Sequence, residues 1–125
     1  MKKLLLLLSI ILMSTSLITS TIEANASSWH KGSPKIACGT WTDKSKYPEG
    51  AMYDSLFISK SKFILDDNDP HLTNLKYKKV DKRSYKFRGY EFELGKTITA
   101  PEIWHFISKH HVRTKSYGHV LNLYK

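Results

Sequence analysis

Six histidines are the side chains of this 125-residue chain best suited to proton transfer or metal ligation. Four of them, His105, His110, His111 and His119, crowd the C-terminal region. On extended strands His105 and His111 share a face only if no bulge intervenes, and no Cys or carboxylate stands at a standard metal spacing beside them. A structural zinc site needs a tighter set of ligands, so these histidines read as surface or half-buried residues, with no metal and no cofactor expected. Glu91 and Glu93 lie on one face of a strand and suggest an acid/base pair. Such pairs flank a cleft from separate elements, roughly 5 to 9 Å apart, and beside Lys86 and Arg88 the two read as a charge-balanced, solvated face. Asp66-Asp67-Asn68-Asp69 has the composition of a calcium loop, but Pro70 takes the place of the third oxygen ligand and the Gly and closing Glu are missing. A turn is the better reading. Phosphate-binding loops, dinucleotide fingerprints, zincin helices and nucleophile elbows are all lacking. The pattern points to a binding protein and away from an enzyme.

The remaining chemistry is electrostatic. The chain carries 20 Lys and Arg against 11 Asp and Glu, a formal net charge of +9, which favours accumulation on polyanions. Lys76, Lys78, Lys79, Lys82 and Arg83 form a local cluster interleaved with Tyr77 and Tyr85. On a strand, Lys76 and Lys78 share the face opposite Leu75 and Tyr77, which gives a basic stripe. The same lysines would also guard an exposed sheet edge against aggregation.

What must position these residues begins after a leader. Met1, Lys2 and Lys3 precede an apolar run over 4–13, then Ser and Thr, then Ala24-Asn25-Ala26. This is the pattern of a cleaved secretory signal peptide over 1–26, because the run falls well short of the roughly 20 residues of a spanning helix. Only Lys2, Lys3 and Glu23 carry charge there, so residues 27–125 keep +8 of the formal +9. They are expected to form one secreted, extracellular domain, with surface association following from the charge. The single cysteine, Cys38, lies too far beyond the apolar run for lipid attachment and packs as a small hydrophobe. The domain is expected to be monomeric, a dimer linked through Cys38 being the alternative.

Short apolar segments separated by turns run through 27–125, starting near 36–43, 51–59, 62–66, 73–80, 84–94, 97–108, 111–116 and 119–124. This spacing predicts an all-β, antiparallel up-and-down barrel of about eight short strands. In 84–94 the apolar parity switches at Gly89. A bulge there would turn Tyr85, Phe87, Tyr90, Phe92 and Leu94 inward, whereas a hairpin at Arg88-Gly89 would set Lys86 opposite Glu91. Phe57-Ile58-Ser59-Lys60 is echoed by Phe106-Ile107-Ser108-Lys109, and each copy reads as strand, polar turn, strand. Around 100–110 a short helix competes: Thr99 and Glu102 form a capping box, and Ile103, Phe106, Ile107 and His110 have helical spacing.

Gly39-Thr40-Trp41 opens the first of these strands and resembles the G-x-W motif of lipocalin-like barrels. The resemblance implies that Trp41 closes one end of the barrel and that a basic side chain from near the last strands covers it, with Arg113 the candidate by position. The opening 29–44, "WHKGSPKIACGTWTDK", also resembles small secreted proteins of lactic-acid bacteria. Against the lipocalins, this chain is short and lacks their disulfide pair, and small eight-stranded barrels can be filled by their own side chains. Two functions are therefore expected. One is association with an anionic cell-wall polymer or membrane surface through Lys76, Lys78, Lys79, Lys82 and Arg83. The alternative is carriage of a small hydrophobic ligand.

Overall fold

The computed structural model describes residues 28–66 and 69–125; the signal-peptide reading of 1–26 lies outside them. Ten strands follow one another: β1 (His30–Lys31), β2 (Gly39–Thr42), β3 (Ser55–Ile58), β4 (Phe63–Leu65), β5 (His71–Asp81), β6 (Ser84–Glu91), β7 (Lys96–Thr99), β8 (Trp104–Ser108), β9 (His111–Ser116) and β10 (His119–Tyr124). Eight of them close an antiparallel barrel in the order β2-β3-β4-β5-β6-β8-β9-β10, with β10 returning to β2 through Tyr124 and Thr42. β1 pairs with β5 beyond the reach of β4, and β7 continues the line of β8 along β6. The expected all-β barrel is therefore the fold.

Alternation explains why the chain closes. Every barrel strand sends at least one wholly buried apolar or small side chain inward, including Trp41, Leu56, Ile58, Phe63, Leu72, Phe87, Trp104, Phe106, Val112 and Leu123. Six-membered and indole rings fill the axis: Trp41 meets Phe106 edge-on at 5.5 Å between centroids, and Phe63 lies 5.1 Å from Phe87 and 5.8 Å from Trp104. At about 25 cal/mol per Å² of apolar surface, each buried aromatic contributes several kcal/mol toward folding. The Phe57 and Phe106 repeats do form two strand-turn-strand units, β3–β4 and β8–β9.

Strand direction assigns the turns to two ends. The turns 59–62, 82–83 and 109–110 fall at one end, together with Gly39 and Lys125; the segments 43–54, 66–70, 92–95 and 117–118 fall at the other. The first end is closed. A 3-10 turn, Lys35–Ala37, inserts Ala37 into the core, and the Trp41 indole donates to the Ala37 carbonyl at 2.8 Å. Over the outer ring face lies Lys125, its Nζ 4.4 Å from the centroid and donating to the Cys38 carbonyl at 2.6 Å. The covering cation is thus Lys125 and not Arg113. Arg113 points outward from β9 and donates to the Asn122 amide oxygen at 3.2 Å. Gly39 belongs to the same clasp: its φ is +140°, and a Cβ there would stand 3.0 Å from Lys125 Cδ.

Two local expectations are corrected. β6 is continuous through Gly89, with neither a bulge nor a hairpin; the register irregularity opposite it falls on β5 between Thr73 and Lys76, where Asn74 has φ 49°, and a second lies between Lys79 and Asp81. Gly89 faces inward, where a Cβ would lie 2.6 Å from the Thr73 carbonyl oxygen. The parity therefore never switches, so Glu91 turns inward while Phe92 and Leu94 are 81% and 58% exposed. Glu91 is held there by two backbone donors, His71 N–H at 3.0 Å and Glu93 N–H at 2.9 Å. Around 100–110 the chain bends at Pro101 and resumes as β8, without a helix. Alternation wins because it buries Trp104 and Phe106, whereas helical spacing would have called on Ile103 and His110, both exposed.

Candidate functional site

The basic cluster is ordered by pairing between three strands. Lys76 of β5 stands opposite Arg88 of β6 on one side and Lys31 of β1 on the other, and Lys78 stands opposite Lys86. Directly opposed residues share a face, so Lys31, Lys76, Lys78, Lys86 and Arg88 form one outward patch. Trp29 lies against it, with the Arg88 guanidinium 5.7 Å from its ring. At Lys76 and Tyr77, β5 is paired on both sides, so the stripe does not guard an open edge there. The other three cluster residues lie toward the closed end. Lys79 is exposed near the end of β5, while Lys82 and Arg83 form the two-residue turn into β6. Arg83 has φ 58° and donates to the Ile107 carbonyl at 3.1 Å. The lysine stripe was visible in the sequence; Lys31, Lys86 and Arg88 join it only through the register.

Carboxylates are concentrated toward one end of the barrel, where Lys44, Lys46 and Lys96 accompany them. Lys60, Lys62, Lys82, Arg83, Lys109 and Lys125 gather at the closed end, and every described carboxylate side chain except Asp81 lies toward the opposite end. That opposite end holds a cavity of about 580 Å³ lined by Asp43, Asp54, Asp66, Asp69 and Glu102 among others. Asp43 Oδ1 accepts from the Asp54 N–H at 2.8 Å, and Asp66 Oδ1 from the Ser55 N–H at 2.9 Å. Asp54 is flanked by both. Its carboxyl is pushed up from 3.8 to about 6, first by desolvation and then by the negative charges of Asp66 and Asp43.

Three histidines, His105, His110 and His111, make local hydrogen bonds. Ser84 Oγ and His105 Nδ1 lie 2.7 Å apart as cross-strand partners. Ser84 is 7% exposed, and its hydroxyl is taken up by this cross-strand bond. His111 bonds the Asn122 amide at 2.9 Å and stacks on Tyr124, and His110 Nδ1 lies 3.0 Å from the Lys125 carbonyl oxygen. Among the described residues no group of three or more His, Cys, Asp or Glu could hold a metal ion. Glu91 and Glu93 do not share a face, since the first is buried and the second exposed. Cys38 is half-buried, its Sγ 3.3 Å from Ser33 Oγ. No described helix is long and apolar enough to cross a membrane. No protein-family model matches this chain, and no curated protein or solved structure matches it either.

Proposed function

We propose that this is a secreted, non-catalytic binding barrel that associates with the anionic cell envelope through its basic outer face. The observation that carries the reading is the register of β1, β5 and β6. It sets Lys76 between Lys31 and Arg88, and Lys78 opposite Lys86, with no carboxylate in those rows. Like charges directly opposite one another destabilise a sheet, and a bound polyanion removes that repulsion. The closed end adds Lys82, Arg83 and Lys109 to the same sign of field, and Trp29 supplies an aromatic surface beside Arg88. Carriage of a small hydrophobic ligand draws less support, because Trp41, Phe63, Phe87, Trp104 and Phe106 occupy the barrel axis.

The test is binding of the purified protein to teichoic polymer and to phosphatidylglycerol vesicles across a salt series. Exposed charges are screened beyond about 8 Å at physiological ionic strength, so affinity should fall steeply as salt rises. A Lys76→Glu/Lys78→Glu/Lys86→Glu protein should lose at least tenfold in affinity, while a Lys44→Glu/Lys46→Glu control keeps most of it. Salt-insensitive binding, or equal loss in both variants at unchanged circular dichroism, would overturn the assignment to this face. Salt-resistant retention of a hydrophobic dye instead would favour the carrier.

A further inference from the structure

We propose that the open end of the barrel is a binding site for a small organic cation, an amine or guanidinium on an apolar body, with Glu102 and Trp104 as its direct hydrogen-bonding partners. This site is separate from the basic face and does not depend on it.

Three observations converge. The first is sign. In a chain of net charge +9, five carboxylates of the described residues line one cavity, with Lys46 and His119 also on its wall. A local field opposed to the charge of the whole molecule selects a positive ligand. The second is unmet hydrogen bonding. Glu102 Oε1 accepts from Ser116 Oγ at 3.4 Å, but its Oε2 is buried and has no partner. Trp104 is fully buried, lines the same cavity, and its indole N–H meets no acceptor. Buried polar atoms are nearly always paired, and those that are not call for an explanation. A ligand carrying an ammonium or guanidinium donor for Glu102 and a neighbouring hydroxyl or carbonyl oxygen for Trp104 satisfies both.

The third observation is scale. The cavity of about 580 Å³ falls within the range of small-molecule sites. Its carboxylates are too dispersed to ligate a metal ion among the described residues, so the charge must belong to something larger. Leu65, Ile98 and Leu121 supply apolar wall for the body of such a molecule. The mutual repulsion among Asp54, Asp43 and Asp66 is relieved when a cation enters, which makes occupancy depend on the charge state of Asp54. Lys46, Asp69, Glu102 and His119 also face this space.

Isothermal titration calorimetry of the full protein with phenylethanolamine, its neutral analogue phenyl glycol and the anion mandelate reads the charge requirement, and phenethylamine, which lacks the hydroxyl, tests the acceptor for Trp104. Phenylethanolamine should bind at least tenfold more tightly than the neutral and anionic probes, and more tightly than phenethylamine. Glu102→Gln should weaken the cation at least tenfold without shifting the thermal midpoint by more than a few degrees. Affinity should fall from pH 7 to pH 5, and Asp54→Asn should remove most of that slope. Equal binding of phenyl glycol, full binding by Glu102→Gln, uptake of Ca²⁺ in preference to either amine, or no heat with any probe at millimolar concentration would each overturn the proposal.

Discussion

The clasp over Trp41 offers the sharpest test of how the barrel is held shut. Trp41 is wholly buried, its indole donates at 2.8 Å to the Ala37 carbonyl, and Lys125 covers its outer face. Burial of roughly 200–250 Å² of indole at about 25 cal/mol per Å² gives about 5–6 kcal/mol as an upper figure. Measured Trp→Ala losses are about 3–5 kcal/mol, and the Ala37 carbonyl left without its donor adds about 1 kcal/mol or more. A domain of this size has about 5–15 kcal/mol in all. Trp41→Ala should therefore unfold largely at ambient temperature, or melt more than about 15 °C lower, at about 4–8 °C per kcal/mol. Lys125→Met removes a solvent-facing cation–π contact, about 0.5–1 kcal/mol, and one hydrogen bond, about 1 kcal/mol. It should lower the melting temperature by about 5–15 °C. Arg113→Met, outside the clasp, should stay within about 0.5 kcal/mol of the parent. Urea denaturation of the three variants, with circular dichroism as the signal, measures the order. An Arg113 variant less stable than the Lys125 variant, or a Trp41→Ala protein as stable as the parent, would refute the reasoning.

Two further predictions address the opposite end. Glu91→Gln preserves shape but replaces one of the oxygens that accept from His71 N–H and Glu93 N–H; it should cost about 1–3 kcal/mol in denaturant melts, and an unchanged midpoint would show those bonds to be dispensable. Asp54 has a folded-state carboxyl raised to about 6 from 3.8, so the folded state holds the proton more tightly than the unfolded one. Its contribution is then fully present below about pH 4 and is lost as pH rises through about 6. Melting temperature should accordingly gain from acidification between pH 7 and pH 5, modestly because the group is largely solvated, and Asp54→Asn should flatten that gain.

Much of the barrel was legible because period-two alternation is a direct consequence of strand geometry. Trp41, Phe63 and Phe87 sit in runs where no other spacing buries them. The errors came where a long-range partner decides a local question. At Gly89 the apolar parity argued for a bulge, but two backbone donors hold Glu91 inward, and Phe92 yields its place to them. For the clasp, Arg113 and Lys125 both lie near the final strands, and only the pairing of β10 with β2 shows which reaches Trp41. The acid-lined cavity went unseen because its carboxylates come from separate segments, and 66–69 was read alone as a turn. A signal was present all the same. In an up-and-down barrel successive turns alternate between ends, and here Lys60 and Lys62, then Asp66 and Asp69, then Lys82 and Arg83, then Glu91 and Glu93, then Lys109 alternate in sign.

The clasp also fixes an order of events during folding. Lys125 meets Cys38 across 87 positions, and loop closure over such a span must be completed before its contacts can repay it. Barrels dominated by distant pairings fold in milliseconds to seconds, slowly for chains of this length. A polypeptide made from its N-terminus at about 5–20 residues per second therefore holds β2 without its second neighbour for several seconds until β10 is made. During that interval the open flank of β2 is a template for pairing with other chains. Aggregation of this protein should accordingly depend on how quickly its two outermost barrel strands find each other.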